Sequence, residues 1–347
     1  MEAGYSKWRK LDNAALAFPL VTGKNDTRVF RFYCQLKEEV AGEVLQTALD
    51  QTMEKYPLFQ TVLRKGLFWF YLEHRELRAL AVPETEPPCS RLYIPDKKTL
   101  LFQVSYYKNR INFEVFHALT DGTGAMHFLQ ELVQNYLLLS HPQAGLPRIE
   151  TAEETTWGDQ EEDSFSQYYS SDMPRDKEKK KPAVKLKGEK LLHSDMHITE
   201  IGIPVKEIHA KAKSYGVSIT VLLTAMMLCA IHEEVPRSRQ NRPVALMIPV
   251  NLRNYFPSQS MANFFGWIEV GYTFTDHTVF TEVLQAVKDQ FKQELVKEKI
   301  AMHMNGYVRL EKNPLVRAVP LEIKKYFLMV GAELGSRSIT SVYSNIG

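Results

Sequence analysis

The sequence predicts a mixed α/β (α+β) protein of two lobes. Three observations carry this. Strand-like alternation and helix-like spacing interleave in both halves of the chain. A segment at 151–190, rich in charge and poor in apolar residues, separates those halves. The chain has 347 residues, 44% of them hydrophobic, which is enough for two cores. The expected organisation is 1–150 as a first lobe, 151–190 as a charged, solvated linker and 191–347 as a second lobe.

In the first lobe, Val40, Ala41, Val44, Leu45, Ala48 and Leu49 form one apolar face of a helix over 37–53, which Tyr56-Pro57 ends. Phe59, Val62, a turn at Arg64-Lys65-Gly66 and Phe68-Trp69-Phe70-Tyr71 read as a hairpin. Its aromatic residues could line a channel, but hairpin core is the simpler reading. Strands over 100–106 and 111–116 pair across Lys108-Asn109-Arg110, the second alternating like a half-buried strand. Met126, Leu129, Val133, Tyr136 and Leu137 then place a helix over 123–139.

The linker has an acidic half (Glu153, Glu154, Asp159, Glu161, Glu162, Asp163) and a basic half from Arg175 to Lys190. It could serve as a basic patch for cofactor phosphates or an acidic carrier. The second lobe opens with a strand over 196–203. Pro204 starts a helix that Tyr215-Gly216 ends, and Ser218 caps the next, with Val221, Leu222, Ala225, Leu228, Cys229 and Ile231 turned inward. Strands follow at 244–250 and 268–274. One long helix is expected over 279–299, another over 321–334, and a strand over 339–343.

Where the strand at 111–116 runs out stands His117, followed by Asp121 and Gly122 just before a helix. A histidine held at a sheet edge titrates near neutral pH and can take a proton from a hydroxyl or amine. The plainer reading is a structural histidine beside a helix N-terminus. A metal site is not expected, because the His117/Asp121 pair precedes the helix and has no third ligand at useful spacing. His193 and His197 flank a strand start. Gly122-Thr123-Gly124 lacks the third glycine of a dinucleotide fingerprint.

The formal charge of +2 gives no basic field for nucleic acid. Cys34, Cys89 and Cys229 are scattered and odd in number, which suggests neither a disulfide framework nor a zinc ribbon and fits a reducing cytoplasm. No signal-peptide core is evident near Met1, and the apolar run at 217–231 is too short to span a bilayer.

His117-Ala-Leu-Thr-Asp121-Gly122 resembles the HxxxDG motif of the chloramphenicol-acetyltransferase-like superfamily of acyltransferases and condensation domains. Ile248-Pro-Val-Asn-Leu-Arg253, Asn263-Phe-Phe-Gly266 and Ser344-Asn-Ile-Gly347 resemble its later landmarks. The likeness is nearest to the alcohol acetyltransferase branch. It implies two lobes, each a mixed sheet with flanking helices, and an active-site channel between them. It implies acyl transfer from acyl-CoA, as co-substrate rather than resident cofactor, to a small alcohol or amine, with His117 as general base and no acyl-enzyme. Asp121 would pair with Arg253 to fix the loop, and Gly122 would supply a tight turn. Tyr272, Thr273 and Asn345 stand near second-lobe strand ends as candidates for the unassigned oxyanion donor. Phe116 replaces the second histidine of condensation domains. Family members continue past the Ser-Asn-Ile-Gly strand, so the second lobe is expected to be incomplete. Two alternatives stand beside this one: a non-catalytic relative binding an acyl ligand or a protein, and a standalone condensation-like enzyme taking its acyl group from a carrier protein.

Overall fold

The computed structural model describes residues 8–23, 26–149, 162–174, 180–188, 191 and 196–346. Much of the charged segment (Glu153, Glu154, Asp159, Glu161, Arg175, Lys177, Lys179 and Lys190), together with His193 and Gly347, lies outside them.

The first lobe is built on a four-stranded sheet of β2 (Val29–Gln35), β7 (Arg110–Phe116), β6 (Phe102–Tyr107) and β5 (Ala81–Pro83), in that order. Strand β7 pairs antiparallel with β2 and β6, and β6 pairs in parallel with β5. Helices α1 (Gly42–Lys55) and α2 (Gly122–Ser140) supply Leu45, Leu49, Phe128 and Leu132 to its core. Phe113 stacks on Phe128 at 4.8 Å between ring centres. A smaller sheet, β1 (Trp8–Lys10), β4 (Phe70–His74) and β3 (Thr61–Lys65), has β4 in the middle.

Strand β7 is buried on both faces, against the half-buried strand expected. Tyr93 covers one face, stacked on Phe116. The polar residues of that face are buried with partners: Glu114 receives the Cys89 amide at 2.7 Å and Arg31 at 3.3 Å. Helix α1 starts at Gly42, later than expected, because Leu36 and Val40 donate their amides to the β6–β7 turn.

The second lobe centres on β8 (Val244–Asn251), antiparallel to β9 (Phe265–Tyr272) and parallel to the short β10 (Ser341–Val342). Leu246, Ile268 and Val270 meet side chains of α3 (Val205–Ser214), α4 (Ile219–Glu233) and α5 (Phe280–Glu294) in one core. The Ser218 hydroxyl caps α4 through the Val221 amide.

Two expectations are corrected here. The single helix over 279–299 is two: α5 stops at Glu294, Val296 is extended, and α6 (Lys297–Lys312) sets off anew. The break lets Ile300, Met304 and Val308 turn to a separate cluster with Leu252, Phe256 and Phe264. The segment 196–203 pairs with no strand among the described residues; Ile198, Ile201 and Ile203 are exposed, so alternation without a sheet edge beside it produced no strand.

Helix α7 (Leu321–Ser336) returns to the first lobe, where the Leu321 amide donates to Leu67 O and Lys324 Nζ to Phe68 O. Met261 and Leu321 are part of the first core. Among the described residues, no single helix is long and apolar enough to cross a membrane.

Candidate functional site

His117 is the first residue after β7, and its amide donates to Arg28 O at 2.9 Å. Three aromatic rings surround its imidazole. Phe18 stacks on it at 4.4 Å, Phe30 stands at 4.8 Å and Phe265, at the start of β9, at 5.4 Å. Burial among these groups lowers the pKa of His117 below its ordinary value, against smaller opposing effects of its own carbonyl, Asp121 and Asn263. The ring is therefore neutral near pH 7 and has one N–H to place.

Asn263, from the loop ahead of β9, decides where that N–H sits. Its Nδ2 donates to His117 O at 3.0 Å, which turns Oδ1 toward imidazole Nδ1 at 3.2 Å. An amide oxygen only accepts, so Nδ1 carries the hydrogen and Nε2 keeps its lone pair. Sequence reasoning named Asn263 only as part of a landmark and missed this contact. Nothing local signals it, because the partners are 146 residues apart.

Asp121 is the N-cap of α2, and its carboxylate is fully committed. Oδ1 accepts the Thr123 and Gly124 amides at 3.0 and 3.1 Å. Oδ2 accepts Arg253 Nη1 at 2.7 Å and the Phe264 amide at 2.8 Å. Arg253 comes from the turn after β8. Its remaining N–H groups reach Ser260 O at 2.8 Å and Ala262 O at 2.7 Å. One guanidinium thus ties the start of α2 to the loop that presents Asn263. Asn251 adds a bond from Nδ2 to Thr123 Oγ1 at 3.1 Å, and Thr120 Oγ1 donates to Met261 O at 2.5 Å.

The structure thus brings His117, Asp121 and Arg253 to one loop-to-loop junction. Gly122 does not have the steric role expected of it: a Cβ there would meet only Phe32, at 3.8 Å. The glycine that packing requires is Gly124, whose Cβ would stand 2.6 Å from Met261 O and closer still to Thr120 Oγ1. The oxyanion candidates are placed elsewhere. Phe265 begins β9 beside His117, and Tyr272 ends that strand seven residues on, roughly 23 Å away along it. Thr273 follows Tyr272 and is exposed. Asn345 donates its amide to Thr220 Oγ1 at 2.8 Å, in the first turn of α4.

An apolar groove of about 700 Å³ runs along α2 on the side of edge strand β2. Met126, Leu129, Val133, Leu137, Tyr33 and Cys34 line it. Among the described residues, no group of three or more His, Cys, Asp or Glu stands together as a metal site.

Residues 204–320 match the family described as phthiocerol/phthiodiolone dimycocerosyl transferase C-terminus. Among solved structures, polyketide synthase associated protein 5 from Mycobacterium tuberculosis is similar at TM-score 0.54 and 15% identity, over 88% of this chain and 78% of that one. TRI101 of F. sporotrichioides, complexed with coenzyme A and T-2, is similar at TM-score 0.58 and 13% identity, over 90% and 80%. The first condensation domain of the calcium-dependent antibiotic synthetase is similar at TM-score 0.58 and 15% identity, over 85% and 76%. No curated protein matches by sequence. At these identities the structural likeness concerns the fold. That fold is the two-lobe one of the chloramphenicol-acetyltransferase-like acyltransferases and condensation domains, the superfamily that the motif at 117–122 resembles.

Proposed function

We propose that the chain is an acyltransferase that moves an acyl group from acyl-CoA to an alcohol or amine, with His117 as general base. The observation that carries this reading is the Asn263 clamp, whose Oδ1 accepts from Nδ1–H and so leaves the lone pair on Nε2. Nε2 takes the proton of the acceptor O–H or N–H as that atom bonds to the thioester carbonyl carbon. The tetrahedral intermediate collapses, the C–S bond breaks, and the departing thiolate takes the proton from the imidazolium. Asp121 and Arg253 act on geometry, since neither touches the ring by hydrogen bond. In this reading 1–150 supplies the base and 191–347 supplies the groups that orient it.

Coenzyme A as donor is supported by its presence in the TRI101 complexes of F. sporotrichioides and F. graminearum. An acyl-enzyme is not needed. Burial raises the pKa of all three free thiols, Cys89 to about 11 with help from Glu114, so none is a ready nucleophile. Three unpaired thiols also support a cytoplasmic setting. A carrier-delivered acyl group is the second reading, favoured by the likeness to a condensation domain and to a polyketide synthase associated protein.

The test is thiol release from acetyl-CoA and longer acyl-CoAs, the latter because of the groove along α2, with a panel of alcohols and amines. His117→Ala, shown folded by circular dichroism, is expected to lose about 10²- to 10⁴-fold in acceptor-dependent release. Equal release from both proteins would remove His117 as the base. Background release from both, with transfer from an acyl carrier protein instead, would favour the second reading.

A further inference from the structure

Asp12 takes no part in the steps above, yet it touches the residue that holds His117. It lies just after β1 and is 2% exposed. Oδ1 accepts the Ala15 amide at 2.7 Å, and Oδ2 accepts the Asn263 amide at 3.3 Å. The same short segment carries Phe18, the ring stacked on His117. Both the backbone that presents Asn263 and the imidazole that Asn263 clamps therefore lean on residues 12–18.

Resting on the reading of His117 as a base, we propose that Asp12 is a positioning residue for it: the ionised carboxylate anchors the Asn263 backbone so that the Asn263 side chain fixes the imidazole. The charged groups facing Asp12 are few. Arg9 of β1 stands 3.9 Å from Oδ2, and Asp163, ahead of the helical turn Ser164–Gln167, opposes it with like charge. Burial outweighs Arg9 and pushes the Asp12 pKa up to about 7. Protonation at Oδ2 would point O–H at N–H, donor against donor, and release the Asn263 amide. The anchor is thus set above neutral pH and slack below it.

Stability runs the opposite way. The fold holds the Asp12 proton more tightly than the unfolded chain, whose carboxyl titrates near 3.8. Its contribution is complete below that value and is lost as pH rises to about 7. Asp12→Asn has no proton to lose. It also places an N–H toward one amide, as the protonated acid does.

The experiment compares wild type with Asp12→Asn in thiol release from about pH 5.5 to 8.5, and follows the His117 ring by NMR in the wild type over the same range. At pH 8 the variant is expected to lose roughly tenfold in kcat with KM nearly unchanged, a modest misplacement of the base. Its deficit closes toward pH 6, where wild-type Asp12 is protonated. Its melting temperature loses the decline with rising pH that the wild type shows. In the wild type, the His117 resonance is expected to shift in two steps, one near pH 7 and one lower. A deficit equal at every pH, or a single His117 transition below 6.5, would overturn the proposal. If no acyl-CoA and acceptor react, a two-step His117 titration still upholds the link from Asp12 to the ring, while the acyltransfer reading fails by itself.

Discussion

Enclosure by Phe18, Phe30 and Phe265 disfavours the charged form of His117 and so keeps the ring neutral near pH 7. A depressed folded-state pKa sets the sign of both pH effects. The base form persists below 6.5, so in the Asp12→Asn background the remaining acid limb of kcat/KM should have its midpoint below 6.5. The stability that depends on neutral His117 is present above 6.5 and is lost as pH falls through the folded pKa. A limb centred above 6.5 in that background would mean that the titrating base is another group. His117 and Asp121 were legible in the spacing of one motif, and Arg253 through the resemblance of the separate stretch at 248–253 to a family landmark. The contacts of Asn263, known only as part of a landmark, and of Asp12 were not, because neither residue reveals in sequence its partner 146 or 251 residues away.

Among the elements, α2 shows why residue identity alone misleads. Two glycines open this helix, and the sequence gives the first of them no less claim to a tight fit than the second. Only the position of the Met261 loop distinguishes them. Gly124→Ala is expected to lower stability by about 1–3 kcal/mol in urea unfolding, as an overpacked contact with backbone does. Gly122→Ala is expected to stay within about 0.5 kcal/mol of wild type, since a helical alanine there meets open van der Waals contact. The reverse order would contradict the packing of the 260–264 loop against α2. The helices and strands whose apolar residues face one core were readable from their period, as in α4 and α5. The break between α5 and α6 was not, because two stripes facing two clusters look like one stripe in sequence. The alternation at 196–203 failed for the opposite reason, having a strand's pattern but no strand paired with it among the described residues.

At the scale of the whole molecule, the sequence and its resemblance pointed to two lobes and to one bond of their docking, Arg253 to Asp121, but not to the rest. Besides the return of α7 to the first lobe, the docking is made around the site by Thr120 to Met261, Asn251 to Thr123, Arg253 and the Phe264 amide to Asp121, and Asn263 to His117. Arg253 is the centre of this set. Arg253→Ala would leave the Asp121 carboxylate buried without its counter-charge, a loss of about 3–5 kcal/mol. Hydrogen exchange should then quicken together at 117–124 and 260–264. Arg253→Lys should not restore protection, because one ammonium cannot stand both where Nη1 meets Asp121 Oδ2 and where Nη2 meets Ser260 O and Ala262 O. Quickening confined to one side would show that the lobes hold together by other means.

The bond from Asp12 to Asn263 spans 251 residues. Ribosomes add about 5–20 residues per second, so roughly 13–50 s separate the synthesis of its two ends. For that interval the nascent first lobe carries a histidine whose ring has no clamp and an aspartate whose second oxygen has no amide. The site is completed only when the loop between β8 and β9 emerges, long after the strand that ends at His117.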